Sequence, residues 1–388
     1  MGRTRDVSKI LTSNTSILTL ASASTIYKGS PNRNLIINGD MQVAQRGTSV
    51  ASITTSNYYT LDRFNFTVGS MGTWTMSQEN DAPTGSGFRQ SLKVICTTAD
   101  ASPAASDQVR LDTYLEGQNL QHIKKGTAAA EQLTLSFWVK SNVTGTHTVR
   151  LVDYDNTRGD SASYTISASA TWEKKTITFP ADTTGAFDND NAASLGLIFG
   201  LGFGSNFTSG TLQSVWGSYT DANSHVGQTN VAAAINNYWQ ITGVQLEVGD
   251  TATPFEFKPF DQDLRECKRY YRKSFPYATT PASSYTTTKM EIQGARHQVS
   301  DSLGFRSQVV FFDTEMRADP TLTLFNGSTN SSTTVRLFTN SGTTQDIALS
   351  VYNPNPYSFY LARYDGVSVG STGLSIQAIF NYTASSEL

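Results

Sequence analysis

Two pairs of carboxylates in this sequence have a spacing that acid–base chemistry could use: Asp153 with Asp155, and Asp188 with Asp190. Paired carboxylates that flank a sugar can cleave its glycosidic bond. Residues two apart on a strand share a face, so either pair could act together. However, the second pair belongs to an Asp-Asn-Asp-Asn run that is typical of turns, and the first also flanks a turn. We therefore interpret both pairs as turn residues rather than as a catalytic centre.

A second catalytic pattern lies at residues 366–370, which read Gly-Val-Ser-Val-Gly. This spacing fits a nucleophile elbow, which needs a strand, a sharp turn and then a helix. Here a glycine- and serine-rich stretch and the strand-like run 374–380 follow instead. The four histidines also lack the spacing of a metal site. The sequence therefore predicts a protein that is not an enzyme, with no catalytic residues, no cofactor and no metal site.

Aromatic side chains offer a different chemistry, because a sugar can bind with its apolar face on an aromatic ring while polar groups contact its hydroxyls. Trp216 and Tyr219 lie in the glycine- and serine-rich loop 208–227 and are the first predicted carbohydrate-binding pair. Trp74, among threonines and methionines, is the next candidate. Trp239 sits inside an apolar strand pattern and is expected in a core instead.

The composition narrows the class of protein. Of the 388 residues, 38% are hydrophobic, which is enough for buried cores, and only 16% are charged. The polar residues are mainly Ser, Thr, Asn and Gly, which suit solvated sheet faces and short turns. A net charge of −3 gives no electrostatic basis for binding nucleic acid or an anionic membrane. Binding must therefore rest on polar and stacking contacts.

The two cysteines, Cys96 and Cys267, lie far apart in the sequence. Two thiols cannot form a disulfide framework for a chain of this size, so both are predicted to be free, as expected after folding in a reducing cytosol. No apolar run approaches the length that spans a membrane, so membrane insertion is not expected.

From residue 34 to about residue 258, short apolar runs of period two alternate with clusters of turn residues. This pattern predicts an antiparallel sandwich or barrel. Residues 229–237 could hold one helical turn. The predicted strands of this region are residues 133–141, 147–155, 163–168, 174–180, 195–203 and 238–248.

The segment 259–273 is the exception, because its apolar residues have helical spacing. Asp261 is its predicted N-cap, and acidic residues precede basic ones, which complements the helix dipole. A free helix of about 13 residues is marginal in water, so this linker helix must dock on something. We predict that Leu264, Cys267 and Tyr271, which share one face, contact other subunits.

Residues 274–388 return to strand patterns and are predicted to form a second, smaller β-sandwich. Its predicted strands are residues 309–313, 321–326, 334–340, 346–353, 357–364 and 374–383. Residues 1–33 are polar and cannot bury a core alone. We predict that they form an extended arm that attaches to another protein. The predicted fold class is thus all-β: two sandwiches, a short helix between them and an N-terminal arm.

Several segments of the sequence resemble known proteins, in the expected order. Residues 34–49 and 58–64 resemble the opening of a family of tail and fibre proteins of tailed bacteriophages, and MGRTRDVSKIL resembles the start of cyanophage structural proteins. Other segments resemble the jelly-roll carbohydrate-binding module of that family and the parts that close and follow it: 136–141, 171–179, 241–256, 265–271, 313–326 and 379–388.

The resemblance implies a jelly roll over residues 34–258 and a homotrimeric virion protein that is assembled in the host cytoplasm and contacts host surface glycans. Such modules often hold a structural calcium ion through carboxylates on their first and last strands. Asp40 is present on the first strand here, but Thr242 and Gly243 stand where the last strand often carries Asp. A complete calcium cage is therefore not expected.

Three functions follow as hypotheses. The first is a trimeric tail fibre that binds host surface polysaccharide and is attached to other virion proteins by its arm. The alternative is an architectural role without receptor binding, as a capsid fibre, a capsid decoration or a tail adaptor. The third is a polysaccharide depolymerase.

Overall fold

A computed structural model describes residues 32–281, 290–299, 302–326, 334–339, 344–363, 367 and 376–388. Apart from Asn32 and Arg33, the predicted N-terminal arm lies outside the described residues. The described chain is almost entirely β-structure with a single α-helix, which confirms the predicted fold class. In the same residues, no helix is both long and apolar enough to cross a membrane.

The first part of the chain forms two six-stranded antiparallel sheets. Their strands are β1 Ser49–Ile53, β2 Asn65–Gly69, β3 Thr73–Glu79, β4 Ser91–Thr98, β5 Gln108–Glu116, β6 Leu133–Ser141, β7 Gly145–Asp153, β8 Arg158–Ile166, β9 Glu173–Phe179, β10 Ala193–Phe203, β11 Gly217–Ser218 and β12 Tyr238–Val248. The first sheet has the order β1-β3-β4-β12-β6-β9, and the second has the order β11-β8-β7-β10-β5-β2. Short 3-10 helices lie in the connections, at Gly117–Asn119, Gln121–Ile123, Ser205–Phe207, Asp221–Asn223 and Val231–Ala233.

The two sheets pack face to face around one hydrophobic core. Phe137 of the first sheet meets Phe199 and Tyr164 of the second edge-on, with ring centroids 5.1 Å apart in both cases. Trp239 of the first sheet contacts the same Phe199 ring and is fully buried, as the sequence predicted. Such offset aromatic contacts add to the stabilisation from buried area.

The helix is shorter than predicted. Helix α1 spans Phe260–Lys268, with Pro259 rather than Asp261 at its N-cap and no side chain capping it. Proline suits this position because it lacks the N–H that a helix start leaves unpaired. The helix ends early because Tyr271–Lys273 pairs as strand β13 with the last strand of the chain. The ladder hydrogen bonds of that strand replace those of the last predicted helical turn.

The residues predicted to contact other subunits require a correction. Cys267 and Tyr271 are buried within the single chain, at 0% and 7% exposure, so neither can contribute to a surface between copies. Tyr271 packs under the guanidinium of Arg46, 3.6 Å from its ring centroid. Leu264 is half-buried. The helix docks on its own chain through its buried residues, Asp263 and Cys267.

The rest of the chain forms a third antiparallel sheet with its own hydrophobic core. Its strands are β13 Tyr271–Lys273, β14 Met290–Val299, β15 Ser302–Ser307, β16 Val310–Phe311, β17 Thr321–Asn326, β18 Val335–Thr339, β19 Thr344–Ile347, β20 Ser350–Asn355, β21 Ser358–Arg363 and β22 Ile376–Ser385. Strand β22 is central, because β13 and β14 pair with one of its edges and β17 and β18 with the other. The predicted strand 346–353 is split between β19 and β20.

A buried carboxylate joins the sandwich to the segment after the helix. Glu116, at the end of β5, is fully buried and accepts two hydrogen bonds of 2.8 Å from the guanidinium of Arg269. It also accepts a hydrogen bond from the hydroxyl of Tyr270. Burial alone raises the pKa of the Glu116 carboxyl, but the hydrogen bonds from Arg269 and Tyr270 hold it below its usual value. Such charge-assisted bidentate bonds are among the strongest in proteins.

A second ionic cluster holds the end of the chain. Glu387 accepts hydrogen bonds from Arg46 and from the buried Arg63, and Arg46 also pairs with Asp62 at 2.8 Å. Arg63 donates a further hydrogen bond of 2.6 Å to the carbonyl of Tyr114. Through these bonds, residues from three distant parts of the sequence pair with one another in a largely buried region.

Two buried carboxyls dock the helix on the first segment of the sandwich. Asp263 is 5% exposed and accepts a hydrogen bond of 3.1 Å from the backbone N–H of Asn38. Burial, together with the adjacent carboxylate of Asp40, raises its pKa to about 7. Asp40 is 4% exposed, and burial raises its pKa as well. The two groups therefore hold protons more tightly in the folded protein than in the unfolded chain.

Replacing Glu116 by Gln is expected to lower the stability of the protein, because Arg269 would keep its charge and lose its buried partner. We expect a loss of about 2 kcal/mol, somewhat less than for a fully buried pair because Arg269 is partly exposed. Urea unfolding measures the change. As a control, Glu131→Gln removes an ion pair that is exposed on both sides, with Lys124, and should cost less than about 0.5 kcal/mol. Equal losses in the two variants would contradict a stabilising role for Glu116.

Replacing Asp263 by Asn is expected to change the pH dependence of stability. The folded-state pKa of Asp263, about 7, lies above the ordinary value of 3.8, so its contribution to stability falls as pH rises between those values. Thermal unfolding, measured with EDTA so that no metal ion binds the carboxylates, should give similar midpoints for the variant and the wild type near pH 4. At pH 8 the variant should unfold at least about 3 °C higher. The exposed Asp261→Asn on the same helix should show no such gap. A constant difference at all pH values would contradict the assignment.

Candidate functional site

Strand β10 is central to the second sheet, and its alternation shapes both faces of that sheet. Leu197 and Phe199 point into the core, whereas Gly196, Ile198 and Gly200 lie on the outer face. A Cβ atom at Gly196 would approach the ring of Tyr154 to 2.8 Å. Glycine at this position therefore lets an aromatic ring lie close to the sheet.

The neighbouring strands bring polar side chains to the same outer face. On β5, Arg110, Asp112 and Tyr114 pair with outward positions of β10. On the other side, Arg150 and Val152 of β7 pair with the same strand. Side chains directly opposite each other in an antiparallel ladder share a face, so these residues form one continuous surface.

A pocket of about 270 Å³ opens on this surface. Tyr154 is 43% exposed and forms one wall, and Tyr219 from the loop after β11 forms another. The ring of Tyr154 lies 5.9 Å from that of Tyr114. Burial raises the pKa of Tyr154 to about 12, so its phenol stays neutral and can donate a hydrogen bond. The lining residues are Arg110, Val152, Asp153, Tyr154, Thr157, Ile198 and Tyr219.

Asp112 carries a buried carboxylate next to this pocket. One of its oxygens accepts hydrogen bonds from the hydroxyl of Thr67 at 2.6 Å and from Nε of Arg110 at 3.2 Å. Its Oδ1 atom has no hydrogen-bond partner among the described residues. Burial raises the pKa of the carboxyl, and the charge of Arg110 opposes this shift. A buried oxygen without a partner can accept a hydrogen bond from a ligand.

Arg150 is the second charged residue at this place. Its guanidinium is 1% exposed and lies under the ring of Tyr219, 4.0 Å from the ring centroid. Burial lowers its pKa, and the charges of Tyr219 and Asp221 oppose this shift. Within the described ranges, none of its three nitrogens has a hydrogen-bond acceptor.

The prediction that Trp74 contacts a carbohydrate was wrong. Trp74 has 0% exposure, and its Nε1 donates a hydrogen bond of 2.8 Å to the carbonyl of Met71. Its ring packs edge-on against Phe66 across the two sheets. A side chain without exposed surface cannot stack on a sugar.

The predicted pair Trp216 and Tyr219 is not brought together on one surface. Trp216 is half-buried against the core, and its Nε1 donates to the carbonyl of Pro180 at 2.9 Å. Its ring lies 5.3 Å from the ammonium group of Lys125. Only Tyr219 lines the pocket. A carbohydrate-binding role for either residue stays a prediction.

The carboxylates that suggested catalysis have structural partners. Asp153 pairs with the buried ammonium group of Lys125 and accepts hydrogen bonds from Asn156. Asp155 accepts a hydrogen bond of 2.9 Å from the backbone N–H of Asp188. These bonds order the turns that carry the carboxylates, as the turn interpretation of the sequence proposed. Of the Gly-Val-Ser-Val-Gly pattern, all but Val367 lies outside the described residues.

The residues present do not form the calcium cage that the family resemblance suggests. The hydroxyl of Thr242 donates to the carbonyl of Gln90 at 2.7 Å, and the ring of Phe88 fills the space where a side chain at position 243 would begin. Asp40 accepts a hydrogen bond from the side chain of Gln42 instead. Over the part of the chain that is described, no three His, Cys, Asp or Glu side chains cluster to hold a metal.

A larger pocket of about 380 Å³ lies between the sandwich and the helix. Its charged walls include Arg63, Glu116 and Arg269, which already pair within the ionic clusters that join the parts of the chain. Because these charges satisfy one another, we assign this pocket to the internal interface. The tyrosine-walled pocket on the second sheet is the candidate binding site.

Sequence reasoning identified Tyr219 but missed the other residues of the pocket. The signal was present in β5, where Arg110, Asp112 and Tyr114 alternate with apolar residues and so mark a polar outer face. Tyr154 lies just after β7, in a turn where a lone aromatic gives no pattern. Its position in the pocket depends on Gly196, which is distant in the sequence.

No protein-family model matches this sequence, and no curated protein matches it either. Solved structures do match it. The bacteriophage CBA120 tailspike protein 4 enzymatically active domain is 15% identical with a TM-score of 0.30. The match covers 56% of this chain and 22% of the tailspike chain, so this chain spans about a fifth of that protein.

Two carbohydrate-binding modules from Clostridium thermocellum are also similar. The family 11 module, solved with a β-1,3-1,4-mixed-linked tetrasaccharide, is 9% identical with a TM-score of 0.28, and the match covers 53% of this chain and 98% of the module. The CBM22-1-GH10 modules of xylanase 10B, solved with xylohexaose, are 14% identical with a TM-score of 0.26, covering 57% of this chain and 29% of that one. Similarity at this level does not identify what this chain binds.

Proposed function

We propose that this chain is a glycan-binding protein of a bacteriophage virion, and that its ligand occupies the pocket walled by Tyr154 and Tyr219. The observation that carries the proposal is the combination of two tyrosine rings, the exposed Tyr154 and the half-buried Tyr219, with polar groups in one open pocket. Pyranose rings have apolar faces that pack on aromatic rings and equatorial hydroxyls that need hydrogen bonds at their edges. The pocket offers both kinds of contact.

The groups around the pocket suit sugar hydroxyls in particular. Arg110 can donate hydrogen bonds, and the free Oδ1 atom of Asp112 can accept one. Neutral Tyr154 can donate or accept. We propose binding without cleavage, because Asp153, another residue of the lining, has its buried carboxylate held by Lys125 and Asn156. Hydrolysis of a glycosidic bond needs two available carboxylates, and Asp112 therefore has no second carboxylate to act with.

The proposed place of the protein is the phage tail, where it would attach the particle to host surface polysaccharide. The support is the ordered series of segments that resemble tail and fibre proteins. We also propose a homotrimer, because the third sheet exposes apolar residues at its β16 edge. Phe311 is 75% exposed, Tyr357 57% and Val309 44%. Exposed apolar groups of this kind mark contact surfaces, and closed symmetry would cover them in every copy.

The binding proposal predicts that Tyr154→Ala and Tyr219→Ala each weaken glycan binding by about tenfold, because each removes a stacking surface. A glycan array identifies the ligand, and titration calorimetry then compares the variants with the wild type. Ile235→Ala removes an apolar side chain that is 60% exposed on the sandwich, outside both the pocket and the proposed trimer surface, and should leave the affinity unchanged. Absence of binding by the wild type to any host polysaccharide would defeat the proposal.

Labelling of intact virions with antibody tests the proposed location. Labelled tails would support the fibre role, whereas labels fixed on capsid faces or vertices would favour the architectural alternative. Release of reducing ends from host polysaccharide by the purified protein would contradict the non-enzymatic proposal and support a depolymerase.

The trimer proposal predicts a solution mass of three times 42.2 kDa by light scattering coupled to size-exclusion chromatography. Phe311→Ser should lower the trimer fraction, because it replaces the most exposed apolar residue of the β16 edge with a polar one. Val215→Ser changes an apolar residue that is 63% exposed on the sandwich and should leave the mass unchanged. A monomer at micromolar concentration would refute the trimer.

A further inference from the structure

A buried guanidinium without a hydrogen-bond acceptor among the described residues lies beside the candidate pocket. Arg150 is 1% exposed, and none of its three nitrogens has a hydrogen-bond acceptor among the residues that the structure describes. A buried charge usually has a partner, because an unpaired ion loses its hydration without compensation. An arginine in this state is poised to bind an anion.

We propose that the pocket recognises an anionic sugar, and that Arg150 binds its acidic substituent. This inference rests on the proposed glycan-binding function and adds the chemical class of the ligand. The shared chemistry is a planar or tetrahedral oxyanion on a sugar ring, either the carboxylate of a uronic acid or a sulfate or phosphate ester. The forked donors of a guanidinium suit all of these groups.

The geometry keeps the guanidinium close to the pocket. A Cβ atom at Gly159 would lie 2.5 to 3.0 Å from its nitrogens and Cζ, so the guanidinium rests directly on the backbone of β8. The ring of Tyr219 covers its other side. Ile198, directly opposite Arg150 in the ladder, and Val152, two residues along β7, both line the pocket. Arg150 is thus adjacent to two residues of the pocket lining, Ile198 and Val152.

The charges around the pocket favour an anion over a cation. Arg110 is the other basic residue there and is compensated by Asp112. Asp153 is compensated by Lys125. Asp160 lies opposite Leu151, on the core-facing side of its strand, and burial raises the pKa of its carboxyl to about 7 against the charge of Arg150. The guanidinium of Arg150 therefore adds a positive charge that no carboxylate in the described chain neutralises within 4.0 Å.

Contact between the anion and Arg150 requires the ring of Tyr219 to turn away from the guanidinium. The backbone of Tyr219 can stay in place during this movement, since its N–H donates to the carbonyl of Thr157 at 2.9 Å. A rotation about the side-chain bonds is then sufficient. The aromatic ring that shields the charge in the free protein would pack against the sugar in the complex.

A glycan array that displays neutral glucan and galactan oligosaccharides, oligogalacturonates, and sulfated and phosphorylated oligosaccharides tests the inference with the full chain. Anionic sugars are expected among the ligands. The class of anionic sugar that binds, carboxylated, sulfated or phosphorylated, identifies the oxyanion. Binding to neutral sugars alone would overturn the inference and leave the proposed function intact. Absence of binding to every sugar would overturn both.

Arg150→Gln should then weaken binding of the anionic ligand about 30-fold, because it removes a charge-assisted contact made by a buried guanidinium. Arg150→Lys should recover part of the loss by restoring the charge without the fork. The matched control is Arg89→Gln, which makes the same change in net charge at an exposed arginine and should alter the affinity less than twofold. Equal effects of the two Gln variants would overturn the inference.

Arg150→Met separates binding from folding. If the residue serves a ligand rather than the fold, replacing an unpaired buried charge with an apolar side chain should leave the unfolding temperature equal or higher. Anionic ligand binding should be lost in the same variant. A lower unfolding temperature together with retained affinity would assign Arg150 a structural role and refute its part in binding.

Discussion

The alternation of core-facing and outward residues along the middle of strand β10 is the constraint on which the rest of the sandwich depends. Its large apolar residues, Leu197 and Phe199 among them, fill the core between the two sheets. Its outward positions include Gly196 and Gly200, which have no side chains, so that neighbouring side chains can lie close to the outer face of the sheet. A shift of one residue in register would place glycines in the core and leucines on the surface. The register that secures the fold therefore also creates the space for the tyrosine-walled pocket.

Strand β5 connects that pocket to the remainder of the molecule. Its outward residue Arg110 lines the pocket, and its last residue, Glu116, accepts hydrogen bonds from Arg269 and Tyr270 after the helix. The carbonyl of Tyr114, between these positions, accepts a hydrogen bond from Arg63 of the cluster that holds the end of the chain. The segment after the sandwich is thus attached by buried polar bonds rather than by a flexible hinge. The proposed ligand pocket and the attachment of the following segment thus share one continuous strand.

The sequence was sufficient to predict the fold class, and strands β6 and β12 were predicted with the observed bounds because their alternation is strong. The predicted helix 259–273 was too long, since pairing of its last residues with β22 is a tertiary contact that helical spacing does not reveal. Trp74 was misassigned although it alternates with Met76 as a core residue should. That Arg150 is buried without a hydrogen-bond acceptor could not be predicted, because this depends on tertiary neighbours such as Gly159, Tyr219 and Ile198, which are distant in the sequence.

The two free thiols are inaccessible, and this has a practical consequence. Cys96 lies within the sandwich, Cys267 lies where the helix docks, and both have 0% exposure. Burial also raises the pKa of each thiol, which suppresses the reactive thiolate. Alkylation at either position must therefore wait for a local opening of the surrounding structure. The protein carries two intrinsic reporters, whose separate labelling rates would reveal whether the helix detaches before the sandwich itself unfolds.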